Sequence, residues 1–106
     1  MAEGIRIEVD EARINDFCRR HHIQKMWFFG SVLRKDFRPD SDVDVLVEFD
    51  PRAQLSFWDV IGVQEELADL LGRPVDLVER SAVERSKNYI RRRHILRSIE
   101  PVYVAR

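Results

Sequence analysis

The chain has 106 residues, 44% of them hydrophobic and 35% charged, and its formal net charge is −1. A chain of this length and composition suits one folded domain over residues 1–106 and argues against disorder. No run of about 20 apolar residues is present, which argues against a membrane span. The single cysteine, Cys18, excludes an intramolecular disulfide and favours a cytoplasmic protein over a secreted one.

The first part of the chain predicts a helix, a strand and a glycine turn. Asp10 suits the N-cap of a helix over residues 11–22, where apolar residues recur at helical spacing. The aromatic run 26–29 is typical of a strand, and Gly30 ends it. Residues 31–37 are expected to open with one or two helical turns.

The middle of the chain predicts a strand, a helix and another strand. Residues 42–49 alternate as a strand does, with valine at positions 43, 45 and 47. The capping box 56–59 begins a helix whose apolar positions include Phe57 and which Gly72 closes. Residues 74–78 form the next short strand pattern.

The last quarter of the chain is basic. A second capping box, Ser81 to Glu84, predicts one helix that extends to about Ser98. Residues 101–104 are then either a last strand or a tail. Helices and strands that alternate in this order predict an α/β domain with helices packed on a small sheet.

Two aspartates at the start of the second predicted strand form the most informative pattern. Side chains alternate along a strand, so Asp42 and Asp44 share a face, with Cα atoms about 6.6–7 Å apart. Mg²⁺ takes oxygen ligands from one or two carboxylates and from substrate phosphates. Asp76 lies in the third predicted strand between two apolar residues. If these strands are neighbours, three carboxylates converge at one edge of the sheet.

The turn before this strand offers groups that bind anions. A glycine at a strand end, Gly30, allows close approach of the backbone, and Ser31 adds a hydroxyl at the start of the following turn. Arg34 and Lys35 add positive charge. Anion donors followed by metal-binding acids fit phosphoryl or nucleotidyl transfer, in which the protein positions the reactants and neutralises charge.

Each of these features has a simpler interpretation. An isolated Asp-x-Asp is commonly a solvated face, and Gly-Ser is commonly an ordinary turn. Trp58 could line a nucleotide pocket, although an amphipathic helix explains it equally well. The basic residues of the last helix could form a solvated face, a docking surface for an acidic partner, or a contact with RNA; they are Arg85, Lys87, Arg91, Arg92, Arg93, His94 and Arg97.

Taken together, three stretches resemble the signature of the DNA polymerase β-like nucleotidyltransferase superfamily. They are Gly30-Ser31, the run SDVDVLV at 41–47 and the run VDLV at 75–78. The short chain resembles the minimal nucleotidyltransferase branch, which includes the MntA-type antitoxins of HEPN–MNT toxin–antitoxin pairs. The resemblance implies an α+β fold in which helices flank a mixed β-sheet.

The resemblance also implies a site that uses ATP and two Mg²⁺ ions. Asp42 and Asp44 would hold both metals, and Asp76 would complete the metal site and help to deprotonate the acceptor. Gly30 and Ser31 would bind the triphosphate. Arg34 is the further candidate for nucleotide binding, although many members of the family have glycine where this chain has Lys35.

For function, the resemblance implies transfer of AMP from ATP to a tyrosine of a partner HEPN ribonuclease, which silences that toxin. The chain would then form a hetero-oligomer with the toxin. One alternative is a module that neutralises its partner by occlusion, with vestigial carboxylates. A second is a nucleic-acid-binding domain built on the basic helix, and the acidic body of the chain argues against it.

Overall fold

The structure is a computed structural model, and it describes residues 10–33, 42–97 and 99–105. Four strands form one mixed sheet in the order β3-β2-β1-β4, in which β2 and β3 are parallel and the other pairs are antiparallel. The predicted α/β class with a mixed sheet is therefore confirmed. The elements in chain order are α1 (Glu11–Arg20), β1 (Ile23–Phe29), a 3₁₀ turn (Gly30–Leu33), β2 (Val43–Phe49), α2 (Phe57–Leu71), β3 (Val75–Glu79), α3 (Arg80–Glu84), α4 (Tyr89–Arg97) and β4 (Ile99–Val104).

The predicted caps of the first two helices are confirmed. The Asp10 side chain accepts hydrogen bonds from the backbone N–H groups of Ala12 and Arg13 at the start of α1. Ser56 and Asp59 form a reciprocal capping box at the start of α2. These bonds satisfy N–H groups that have no partner inside a helix, and they explain where both helices begin.

The sheet is covered on both faces. Alternate residues of β1 and β2 pack against α1 and α2, and the intervening residues pack against α3 and α4. The first core includes Ile14, Phe17, Cys18, Met26, Phe28, Val43, Val45, Val47, Val63 and Leu67. The second core consists of Trp27, Phe29, Leu46, Val83 and Ile95. This layering explains why three consecutive residues of β2, 45–47, are all buried.

A contact between α1 and α2 fixes the helices of the first face. The Glu66 carboxylate accepts hydrogen bonds from the His21 ring and from the Arg20 guanidinium, the latter at 3.3 Å. The hydrogen bond from His21 is the main cause that lowers the pKa of Glu66. An ionised Glu66 therefore holds the end of α1 against the middle of α2.

The prediction of one basic helix from Ser81 is wrong. Helix α3 begins one residue earlier and has no side-chain cap, and the chain leaves the helical conformation before α4 begins at Tyr89. Arg92 donates hydrogen bonds to the backbone oxygens of Glu84 and Ser86, which holds the turn between the two helices. The Asn88 side chain accepts a hydrogen bond from the backbone N–H of Arg91 and so caps α4.

Each outer strand of the sheet has one residue that offers no free backbone N–H. At the β3 edge, the Gln64 side-chain oxygen accepts the backbone N–H of Leu77 at 3.0 Å. At the other edge, residues 101–104 form part of a strand, so the alternative of a tail is excluded. This strand contains Pro101, which has no N–H to donate. Within the residues that the structure describes, no helix is long and apolar enough to cross a membrane.

Candidate active site

The turn after β1 brings the backbone against a carboxylate. Gly30 has a φ of +75°, a conformation that side chains other than glycine rarely adopt. A Cβ at this position would lie 2.3 Å from Asp44 Oδ2 and 3.2 Å from Asp44 Cγ. Glycine is therefore needed here for its backbone conformation and also for the space that the Asp44 carboxylate occupies.

Strand register places two of the predicted acids side by side. Asp44 pairs with Phe29 of β1 on one side and with Asp76 of β3 on the other. Neighbouring strands lie about 4.8 Å apart, and paired residues project from the same face. Asp44 is half-buried, whereas Asp76 is exposed. The sequence could suggest this pair only on condition that β2 and β3 were neighbours, and the structure meets that condition.

Asp42 lies just before β2 and is exposed. The neighbouring Val43 donates its backbone N–H to the carbonyl of Pro74 at 2.9 Å, which ties the start of β2 to the start of β3. Asp42 thus precedes Asp44 by two residues at the same end of the sheet where Asp76 lies. The three predicted acids and Gly30 consequently occupy one end of the sheet.

A comparison with known proteins shows to which family this chain belongs. Residues 11–99 match the family model described as a nucleotidyltransferase domain. This chain belongs to that family. The match covers most of the chain, so the predicted superfamily is confirmed.

Curated relatives point to one group within the family. The protein adenylyltransferase MntA of Thermococcus cleftensis is 38% identical over 73 residues, which span 69% of this chain and 72% of the relative. A candidate protein adenylyltransferase of Methanocaldococcus jannaschii is 31% identical over 64 residues. That match spans 60% of this nucleotidyltransferase and 64% of the relative, slightly less than two thirds of its length.

Solved structures share the fold. A candidate minimal nucleotidyltransferase is 31% identical, with a TM-score of 0.65 and coverage of 86% of this chain and 87% of its own. A chain of a toxin–antitoxin crystal structure with AMP-PNP gives a TM-score of 0.68 at 19% identity, with coverage of 92% and 76%. A chain from a complex of MNT antitoxin with tri-AMPylated HEPN toxin from Shewanella oneidensis gives 0.59 at 21% identity, with coverage of 90% and 70%. The last two likenesses support the fold alone.

The described acids do not assemble into a three-ligand group for a metal ion. Within residues 10–33, 42–97 and 99–105, no three histidine, cysteine, aspartate or glutamate side chains are close enough together to hold a metal ion. Mg²⁺ keeps several waters and is commonly bound by one or two carboxylates together with substrate phosphates. Asp44 and Asp76, which are in register on neighbouring strands, are the two carboxylates here that lie side by side.

The predicted phosphate-binding residues are placed only in part. Ser31 follows Gly30 in the 3₁₀ turn, so its backbone lies beside the acids. Arg34 and Lys35 lie outside the described residues. The turn predicted over residues 31–37 is thus confirmed for its first residues, as the 3₁₀ turn that ends at Leu33.

Trp58 lies at the end of α2 that is remote from Asp44 and Asp76. Helix α2 runs back from the end of β2 to the start of β3. The C-terminus of α2 therefore lies nearer to the acids than the first turn of α2 does. Trp58 is 14 residues before Gly72, and the helical rise of about 1.5 Å per residue separates them by about 20 Å. Trp58 is also 76% exposed, so the amphipathic helix pattern does not explain it either.

Sequence patterns did not predict the contacts of two arginines, Arg80 and Arg92, on the face of the sheet shared by the acids. The Arg80 guanidinium lies over the Trp27 ring, 4.8 Å from its centroid, and forms an ion pair with Glu84. Arg92 is turned towards backbone oxygens rather than solvent. Both contacts fix α3 and α4, and no spacing rule in the sequence distinguishes these arginines from the exposed ones around them.

Proposed function

We propose that this chain is a Mg²⁺-dependent adenylyltransferase that transfers AMP from ATP to a tyrosine hydroxyl of a HEPN ribonuclease toxin. In this role it acts as the antitoxin of the pair, in the cytoplasm, as a hetero-oligomer with the toxin. The domain that carries the activity spans residues 1–106. The relative named protein adenylyltransferase MntA, at 38% identity, supports the choice of reaction.

The observation that carries the proposal is the contact between the turn and the acids. The positive φ of Gly30 and the absence of a side chain there leave room for the Asp44 carboxylate. Asp44 in turn is in register with Asp76. A simple turn at Gly30 would not require the Asp44 carboxylate to lie 2.3 Å from the place where a Cβ of residue 30 would be.

Each of the predicted site residues has a proposed role in binding metal or nucleotide. Asp42 and Asp44 would hold two Mg²⁺ ions, and Asp76 would complete the site. The bound ions would neutralise the negative charge of the triphosphate. Gly30 and Ser31, at the start of the 3₁₀ turn, would bind phosphate oxygens through backbone N–H groups, and Arg34 would contribute positive charge to the nucleotide.

The proposed reaction is a single displacement at phosphorus. The phenolic oxygen of the acceptor attacks the α-phosphorus of ATP, and the bond from that phosphorus to the bridging oxygen of the β-phosphate breaks. Pyrophosphate leaves with the electron pair of that bond. The Asp76 carboxylate accepts the phenolic proton, for which its exposed position suits it.

The intact mass of the partner tests this proposal. The product of the adjacent gene is co-expressed with this chain, with Asp44→Asn, or with Asp16→Asn as a matched control, since Asp16 is a carboxylate of the solvent-exposed surface of α1. The proposal expects a mass gain in steps of one AMP with the unchanged chain and with Asp16→Asn, and none with Asp44→Asn.

The alternative to adenylyl transfer is a module that neutralises its partner by occlusion alone. In the same experiment, that module would co-purify with an unmodified partner equally well in all three forms. Such a result would replace adenylyl transfer as the proposed function.

A further inference from the structure

Two aromatic side chains stand in solvent at the start of α2. Phe57 is 71% exposed and Trp58 is 76% exposed, and their rings meet edge to face with centroids 5.6 Å apart. Beside them runs an open groove of about 420 Å³ between α2 and β3, whose apolar walls include Val60 and Leu77. We call Phe57, Trp58 and this groove the aromatic patch. Exposed apolar surface of this kind commonly marks an interface.

The surroundings of the aromatic patch are acidic. Asp59 lies in the same helical turn, and its pKa is lowered by its hydrogen bond with the backbone N–H of Ser56, so it carries negative charge at neutral pH. Glu79 lines the groove of the patch and also an adjoining groove that contains Glu48. A partner for this surface is therefore expected to combine apolar and basic side chains.

The same chain carries a surface with that chemistry at the start of α4. Tyr89 is 57% exposed and Ile90 is 71% exposed, and the neighbouring Arg91 and Arg93 are exposed. We call these four residues the basic patch. Residues 81–106 carry seven basic and two acidic side chains, whereas residues 1–80 carry 11 basic and 17 acidic ones. The two patches thus match in apolar character and are opposite in charge.

The two patches also adjoin each other on the surface. Val78 and Ala82 line the groove of the aromatic patch, and they also line a smaller cleft of about 110 Å³ that reaches Arg91. Helix α3 therefore lies between the patches. In a two-fold dimer each copy presents both members of a complementary pair on one self-complementary surface. Adjoining patches on either side of α3 meet that requirement.

We propose that two copies of this chain form a symmetric dimer in which the aromatic patch of each copy binds the basic patch of the other. Helix α3 then lies near the two-fold axis, where the exposed Ala82 allows close approach. A stable interface buries about 800 Å² on each partner. That is a modest share of the 7362 Å² of accessible surface of this chain.

The dimer leaves the acids accessible. Phe57 and Trp58 lie at the end of α2 that is remote from Asp44, and Glu79 ends β3 at that same remote end. An acceptor protein can therefore reach Asp44 and Asp76 in both copies. The dimer is independent of the proposed transfer reaction, because none of its contacts uses a carboxylate of the candidate active site.

Sedimentation velocity of the full chain, over a range of concentrations and at low and high salt, tests the dimer. The exposed positions Trp58→Ser and Ile90→Ser remove one patch each with little risk to the fold, which thermal unfolding checks. Val104→Ser is the matched control, because Val104 is another exposed apolar residue, 55% accessible, on the far edge strand. The proposal expects a dimer for the unchanged chain and for Val104→Ser, and monomers for the two patch variants.

Mixing the two patch variants gives the sharpest outcome. A heterodimer of Trp58→Ser with Ile90→Ser keeps one intact pair of patches, so the mixture is expected to dimerise more strongly than either variant alone. The unchanged chain as a monomer at all concentrations would overturn the proposal. It would also be overturned if the mixture dimerised no more strongly than either variant alone, or if high salt did not weaken the dimer. A third contrary result would be that Trp58→Ser loses a different protein partner while its self-association is unchanged.

Discussion

Replacement of Gly30 by alanine tests the contact on which the candidate active site depends. The new Cβ would lie 2.3 Å from Asp44 Oδ2, whereas ordinary contact begins near 3.4 Å. The carboxylate oxygen would have to retreat by about 1 Å, and a misplacement of that size in a catalytic group lowers rates by about 100-fold. We therefore expect Gly30→Ala to lose about two orders of magnitude in AMP transfer.

The same substitution also strains the backbone, and Gly72 provides a matched control for that effect. Gly72 has a φ of +69°, close to that of Gly30, but a Cβ there would meet no atom within 4 Å. An alanine in this left-handed conformation costs about 1–2 kcal/mol. Both variants should therefore lose stability, with a fall of about 4–8 °C in Tm for each kcal/mol in a domain of this size.

The assay separates the two effects. Transfer of labelled AMP from ATP to the purified partner is measured for the unchanged chain, Gly30→Ala and Gly72→Ala, below the unfolding transition of all three. Gly72→Ala is expected to transfer AMP at the rate of the unchanged chain. Gly30→Ala could instead transfer AMP at the rate of the unchanged chain while its Tm fell as far as that of Gly72→Ala. That result would show that the position of the Asp44 carboxylate does not matter for the reaction.

Three further predictions concern stability and reactivity. Asn88→Ala should lower the free energy of unfolding by about 1 kcal/mol in a urea titration, because Asn88 caps α4; an unchanged midpoint would argue against the cap. Burial raises the pKa of the Cys18 thiol to about 12, so iodoacetamide at mildly alkaline pH should react only as fast as the native protein opens; immediate labelling would contradict this burial. The pKa of Glu66 is lowered from 4.5, so the folded state favours the ionised form, and its stabilisation is present above about pH 4.5 and is lost as the pH falls further. Glu66→Gln should therefore show a smaller fall in Tm on acidification, and a Tm that falls as steeply would be evidence against the contact with His21.

Features that depend on neighbouring residues were predictable from the sequence. The caps at Asp10 and Ser56 and the alternation of residues 42–49 are local, because hydrogen bonds and side-chain directions within one turn or one strand decide them. The closeness of Asp44 and Asp76 was predictable only conditionally, since it depends on which strands are neighbours. The sequence suggested that Gly30 leaves room for a ligand, whereas the structure shows that it leaves room for Asp44 itself.

Features that depend on contacts distant in sequence were not predictable. The capping box at Ser81 has the right residues, but Glu84 pairs with Arg80 at 2.7 Å, and α3 begins directly at the end of β3. Across the break before α4, Arg92 reaches back to carbonyls six and eight residues earlier. Phe57 fits the apolar spacing of α2, yet it projects beyond the core. The sequence could not predict this, because apolar spacing does not indicate which turns of a helix extend past the sheet.

The hydrogen bond from Leu77 to Gln64 has a consequence for how this protein meets other molecules. An exposed outer strand commonly recruits a further strand, either from a partner or from misfolded copies of the same chain. Here the N–H in the middle of β3 is already occupied, and β4 lacks a donor at Pro101. An added strand would therefore find no free N–H at Leu77 of β3 or at Pro101 of β4, which disfavours hydrogen-bonded extension of the sheet at these two positions.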